Sequence, residues 1–167
     1  MSVIIYRYKE QGTTPKERKL TTMTTMTVTD IARTYSNWGH HCEQALTFTL
    51  TGEIRKHDKV PFYMDSDIPE YDMSVKSSGF TLASGNINMG DTFDEKLADF
   101  FSRVHSNKFA YVTVNMVAYI MNKDEFEKFL RTFAYMDRDS KKNGGLTKIK
   151  CRKESKKMLD WFEGQVA

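Results

Sequence analysis

The sequence predicts a single α/β (α+β) domain in which a central mixed β-sheet is flanked by helices. Two capping boxes carry much of that prediction. Thr92-Phe93-Asp94-Glu95 and Asn122-Lys123-Asp124-Glu125 each place a polar cap three residues before a glutamate, at the head of an apolar stripe of helical spacing. Between them lies Phe109 to Met121, rich in β-branched and aromatic residues and patterned as one or two strands. The chain has 167 residues, enough for one well-buried core and too few for two. Residues 1–36 are expected to form an N-terminal extension with a first helix, and 37–163 the core.

Taken in order, Val3 to Tyr8 reads as a short strand, followed by a basic loop with Pro15, Lys16, Arg18 and Lys19. Thr27 or Thr29 is placed to cap a helix through Ile31, Ala32 and Tyr35, with Asp30 favourable in its first turn. Trp38, Cys42, Ala45 and Leu46 recur at helical spacing and predict a core stripe, with Glu43 at its edge. Thr47 to Thr51 alternates like a strand, so the end of that helix is open. His40 and His41 are adjacent, diverge by about 100° on a helix and cannot chelate one ion together, so two exposed helix histidines are expected. Residues 72–76 predict a strand that Phe80, Thr81 and Leu82 continue. The first capping box opens a helix near 92–106 with Phe93, Leu97, Phe100, Phe101 and Val104 on one face. Asn115 marks a break within the following β-rich run. The second box opens a helix near 123–136 that buries Phe126, Phe129, Leu130 and Phe133. Asn86 to Gly90 is a loop, and Asn143-Gly144-Gly145 a turn. Leu146 to Cys151 predicts a strand with Ile149 and Cys151 inward, and Ser155 caps a last helix near 155–163.

Hydrophobic residues are 40% and charged residues 28%, as in a soluble globular protein. No apolar run approaches the ~20 residues that span a bilayer. The first residues lack the apolar length and cleavage site of a signal peptide. Cys42 and Cys151 stand far apart and read as buried free thiols in a reducing compartment, so a cytoplasmic location is expected. There is no glycine-rich phosphate loop and no nucleophile elbow. Net charge is +3, yet Lys141 to Lys157 holds eight basic residues and one acid, Glu154, a local charge of +7 against −4 elsewhere. A basic lobe beside an acidic centre suits an enzyme acting on a polyanion. Lys141, Lys142, Lys148, Lys150, Arg152, Lys156 and Lys157, with Ser77 and Ser78, form the predicted nucleic-acid-binding set.

The chemistry concentrates between Met64 and Ser78, where Asp65, Asp67, Glu70 and Asp72 precede Ser74-Val75-Lys76. On a strand, Asp72, Ser74 and Lys76 share one face while Met73 and Val75 take the other. Pro69 favours a turn that brings Asp67 beside Lys76. A carboxylate that holds Mg²⁺, next to an ammonium that steadies an attacking water or the charge on a phosphorane, suits phosphodiester hydrolysis.

Asp67, a short hairpin and Ser74-Val75-Lys76 resemble the active-site hairpin of the PD-(D/E)xK nuclease superfamily, to which many type II restriction endonucleases belong. Ser74 stands where an acid is usual, which is similar to a branch that reads Ser-x-Lys and takes the missing acid from a nearby helix. The resemblance implies a restriction-endonuclease-like fold over roughly residues 39–162 and a Mg²⁺-dependent DNA endonuclease, with Mn²⁺ as an alternative metal. It implies that Asp67 and the Val75 carbonyl ligate the metal, that Lys76 orients water and that Ser74 hydrogen-bonds a metal-bound water. Gly39-His40-His41-Cys42-Glu43 resembles the family helix that carries a glutamate, which makes Glu43 the first candidate for the missing metal carboxylate. Glu95, Asp72 and Asp65 follow it. DNA is the expected partner, engaged as a homodimer, since a twofold protein matches a palindromic site. Two competing readings are a nucleic-acid-binding accessory or anti-restriction protein on a decayed nuclease fold, and a protein-interaction domain.

Overall fold

The computed structural model describes residues 23–33, 35–55, 66–82, 92–137 and 148–166. The expected strand at 3–8, the basic loop after it, Asp65, Lys141, Lys142, the 86–90 loop and the 143–145 turn lie outside them. The described elements are β1 (Thr24–Thr27), α1 (Trp38–Thr51), β2 (Met73–Ser77), α2 (Phe93–Arg103), β3 (Lys108–Val112), β4 (Val117–Asn122), α3 (Lys123–Phe133), β5 (Ala134–Asp137), β6 (Lys148–Cys151) and α4 (Lys156–Val166). A mixed sheet of order β1-β4-β3-β2 is accompanied by a β5-β6 ribbon. In the sheet β2 runs parallel to β3 and the other pairs are antiparallel. A parallel pair needs a crossover, and α2 supplies it. The predicted α/β class with a central mixed sheet is the observed one.

Both capping boxes form. Thr92 accepts from Glu95 N at 3.2 Å while Glu95 accepts from Thr92 N at 3.0 Å. Asn122 and Glu125 exchange the same bonds at 2.9 and 2.8 Å. These reciprocal bonds satisfy amides that a helix start otherwise leaves open.

The sheet separates two cores. On one face Phe109, Tyr111, Tyr119 and Met121 pack against residues of α2, α3 and α4. There the Phe109 and Phe126 rings stack at 4.1 Å and Tyr119 and Phe162 at 4.4 Å. On the other face Met73, Ala110, Val112 and Ala118 pack against Cys42, Ala45 and Leu46 of α1. The core stripes predicted for α1, α2 and α3 are those that meet the sheet, and α4 adds Met158, Trp161 and Phe162.

Four expectations are corrected, and the open end of helix α1 is settled. Residues 24–27 form an edge strand paired with β4, and no helix starts at Thr27 or Thr29. The threonine-rich run suits a pleated edge better than a helix, and Val28 N continues the pairing to Met116 O at 2.7 Å. The helix begins instead at Asn37, whose side chain accepts from Gly39 N at 2.8 Å. Thr47 to Thr51 is helical, because Leu46 and Leu50, four residues apart, both pack in the core under α1, and Thr47, Thr49 and Thr51 each return a hydroxyl bond to the carbonyl four residues back at 2.7–2.8 Å. That helix stops at Gly52, whose φ of 75° favours glycine. His41 is buried against Trp38 with its Nε2 3.4 Å from Asp30, whereas His40 is half-exposed. Residues 80–82 leave the sheet after the Ser78–Gly79 turn, and Thr81 bridges to Lys150 of the ribbon. Finally, α3 ends at Phe133, since Ala134 to Asp137 pairs with β6.

Asn122→Ala removes one half of a capping box and is expected to lower unfolding stability by ~1 kcal/mol. Phe126→Ala empties the stacked core and should cost ~3–5 kcal/mol. Urea denaturation compares the two, and a Phe126 variant no weaker than the Asn122 variant would contradict this packing.

Candidate functional site

The turn before β2 sets the site. Ile68 and Met73 exchange backbone hydrogen bonds at 3.0 and 3.3 Å across a tight 3-10 turn at Pro69–Tyr71. Pro69 fixes the entry to that turn, and Asp72 closes it in the left-handed region at φ 51°. The bridge holds Asp67 alongside Ser74 and Val75. Asp67 Oδ2 accepts from Val75 N at 2.6 Å and from Ser74 Oγ at 3.3 Å. Lys76 Nζ donates to Ser74 Oγ at 2.6 Å. Asp67 and Lys76 are therefore joined through the serine hydroxyl, in one chain of bonds that runs lysine to serine to carboxylate.

The backbone placement of Val75 matters as well. Its N–H is turned to Asp67 on the side of β2 away from β3, and a strand residue turns its C=O to the same side as its N–H. The Val75 carbonyl thus shares the outer edge of β2 with the Asp67 carboxylate. Ser74 is buried, Val75 and Lys76 are half-buried, and the Lys76 ammonium has two further protons to donate. One carboxylate, one carbonyl and a serine hydroxyl fit Mg²⁺ only as part of an oxygen set completed by waters and a substrate phosphate. Among the described residues, no three His, Cys, Asp or Glu side chains converge as a metal site.

The other candidates fall as follows. Glu43 lies on α1, which covers the Met73 and Val75 face, whereas Ser74 and Lys76 share a face with their cross-strand neighbours Phe109 and Tyr111. Its carboxylate is 3.8 Å from His40 Nδ1. Asp72 belongs to the turn rather than to the strand, a correction to the expected alternation. Its carboxylate accepts from the Asn107 side-chain amide and its carbonyl from Lys108 N at 3.0 Å. Glu95 serves its capping box. Ser77 is buried near Gly39, and Ser78 Oγ accepts from Glu154 N at 2.9 Å, so both are engaged inside the protein. Lys156 pairs with Asp160 at 2.7 Å and Lys157 is exposed. Both cysteines are buried free thiols, and burial pushes each up to about 12, which removes them as nucleophiles at neutral pH.

The structure also shows a group that the sequence reading passed over. Glu154 reaches from the link between β6 and α4 to the β3–β4 turn, where both its oxygens lie 3.3 Å from Val114 N. The Tyr111 hydroxyl is buried beside Glu154 and Ser78 without reaching good hydrogen-bond geometry. Burial raises the Glu154 carboxyl above the ordinary range, against smaller lowering effects from Val114 N–H and the Tyr111 hydroxyl. The one available signal was that Glu154 is the single acid in the basic run. No family model matches this chain, and no curated protein or solved structure matches it.

Because the folded value of Glu154 lies above the unfolded one, the stabilisation carried by its protonated form is complete below the ordinary glutamate range. It is lost as pH rises through the raised value. Glu154→Gln is therefore expected to gain on wild type as pH rises from below the ordinary glutamate range. Denaturant midpoints across that rise check this, and a difference that stays constant with pH would refute it.

Proposed function

We propose that this chain is a metal-dependent DNA endonuclease of the PD-(D/E)xK type with Ser74 in the usual acid position. The single observation that carries the reading is the bonded chain Lys76–Ser74–Asp67 at the outer edge of β2. Asp67 is oriented by Val75 N–H and Ser74, which leaves its Oδ1 directed to a cation or a water. Ser74 receives a proton bond from Lys76 and passes one to Asp67, so the serine keeps the lysine and the acid in fixed relation without adding charge. Lys76 places its remaining protons toward an attacking water or a non-bridging phosphate oxygen, where negative charge grows during displacement. A bound Mg²⁺ or Mn²⁺ would acidify the water and offset charge on the phosphorane.

The order of elements supports the same reading, since a helix with a mid-helix glutamate precedes the hairpin and packs on its strand. Glu43 remains the first choice for a second carboxylate, although α1 sets it on the face opposite Ser74 and Lys76, beside His40. Basic residues sit where a polyanion would need them. Lys153 packs beside Gly79, directly after the Lys76 strand, where a Cβ added to the glycine would lie 3.5 Å from Lys153 Cγ. Thr81, two residues further on, bridges to Lys150. Cutting both strands of a duplex would call for a symmetric pair of chains. The alternative, a DNA-binding accessory or anti-restriction protein, is favoured by Ser74 itself, which leaves one acid fewer than the usual signature.

Asp67→Ala and Lys76→Ala should each abolish plasmid cleavage in Mg²⁺ or Mn²⁺ while DNA binding in Ca²⁺ persists. Glu43→Gln should raise the metal concentration required for cleavage more than Glu95→Gln does. Full activity in Lys76→Ala would end the assignment of this site, and DNA binding by wild type without cleavage would favour the accessory reading. Separately, Lys150→Gln with Lys153→Gln should flatten the slope of log K against log salt on duplex DNA by roughly 0.9 per lost phosphate contact. An unchanged slope would place the duplex elsewhere.

A further inference from the structure

The ribbon β5–β6 has two unlike faces. Ile149 and Cys151 are buried in the larger core, while Lys148 and Lys150 alternate with them and turn outward. In register, Tyr135 stands opposite Lys150 and Asp137 opposite Lys148. Tyr135 is 38% exposed and, with Tyr71, is one of two exposed aromatic rings among the described residues. The guanidinium of the exposed Arg152 lies 5.4 Å from the Tyr135 ring centroid. Lys153 follows at the turn after β2. The outward face thus carries one exposed ring, an arginine over it and two lysines, against Asp137, with Lys153 close by beside Gly79.

We propose that this face is a platform for single-stranded nucleic acid, with the Tyr135–Arg152 pair stacking an unpaired base and Lys148, Lys150 and Lys153 taking phosphates. Charge alone would serve any polyanion. The exposed ring distinguishes the occupant, because a duplex keeps its base faces within its own stack while an unpaired strand offers them. An arginine placed over a tyrosine ring can share a base with it, since guanidinium stacks on aromatic faces and adds cation–π attraction. The lysines suit the rest of such a strand. Alternate residues along β6 recur about every 6.8 Å, a step that an extended single strand can follow with successive phosphates.

This deepens the nuclease reading, on which the choice of nucleic acid as ligand rests, and it assigns that enzyme an unpaired segment of substrate. The test uses the full chain in EDTA, so that no cutting occurs. Fluorescence anisotropy compares a labelled oligothymidylate, an abasic oligomer of equal length, a duplex and heparin. Tyr135→Ala is expected to weaken oligothymidylate binding at least about fivefold, and to leave the abasic oligomer within about twofold. Tyr135→Phe should bind like wild type. Arg152→Gln should also lose more on oligothymidylate than on the abasic oligomer, which keeps the proposal testable if the alanine variant fails to fold. Equal losses on both oligomers, no loss on oligothymidylate, or wild-type binding to heparin as tight as to oligothymidylate would each overturn it in favour of a general polyanion face. A chain that shows the base-dependent loss yet never cuts in metal loses the nuclease reading and keeps this one. Cleavage with Tyr135 indifferent does the reverse.

Discussion

The burial of β3 on both faces is the constraint on which the rest of the molecule depends. Phe109, Ala110, Tyr111 and Val112 are all buried, two toward the aromatic core and two toward α1. A strand without a solvent face must have hydrogen-bonded neighbours on both edges and helices over both sides. Here β2 and β4 fill the edges, α1 covers one side, and helices α2, α3 and α4 meet the other. A slip of one residue would exchange Phe109 and Tyr111 for Ala110 and Val112, so the register is strongly specified. The register of β2 against β3 then fixes which side of the sheet receives Ser74 and Lys76.

The candidate chemistry sits where this packing relaxes. Among the described strands β2 lies at one edge of its sheet, and its Val75 N–H is answered by a side chain, Asp67, rather than by another strand. A carboxylate in that role caps an edge amide through one of its two oxygens. The Ile68–Met73 bridge makes the arrangement rigid by fixing the chain on either side of the turn. A site supported by the sheet and a two-ended turn has its geometry set before any substrate arrives.

Beyond the strand, the molecule joins its basic ribbon to the same edge. The Ser78–Gly79 turn carries the chain from Lys76 to Thr81, which bridges to β6, while Glu154 N bonds back to Ser78. Leu82 N to Ile149 O and Cys151 N to Phe80 O, at 3.0 and 2.8 Å, complete the seam. The segment with the highest density of lysine and arginine is therefore anchored, at its Glu154 end, next to the strand that carries the lysine of the candidate site. Acidic centre and basic lobe, separated by about 75 residues in the chain, are neighbours because of this seam.

Much of the fold was legible in the sequence where local signals agreed. The capping boxes at Thr92 and Asn122, the apolar stripes behind them, the break at Asn115 and the inward Ile149 and Cys151 are all short-range features that the structure keeps. The turn at Pro69 and the closeness of Asp67 to the Ser-x-Lys strand were legible for the same reason, being a matter of a few residues and one proline. What sequence could not decide was which partner each ambiguous segment would take. Thr24 to Thr27 became a strand because β4 offered an edge, and Thr47 to Thr51 stayed helical because Leu50 joined Leu46 in the core under α1. Ala134 to Asp137 left helix α3 for β6, and that choice exposed Tyr135 beside Arg152. The sequence alone determined the local elements and their apolar faces, since these depend on spacing along the chain. Only the tertiary structure decided the pairing of strands, the buried setting of His41 and Glu154, and the serine-mediated link between Asp67 and Lys76, because each depends on which distant surface is brought into contact.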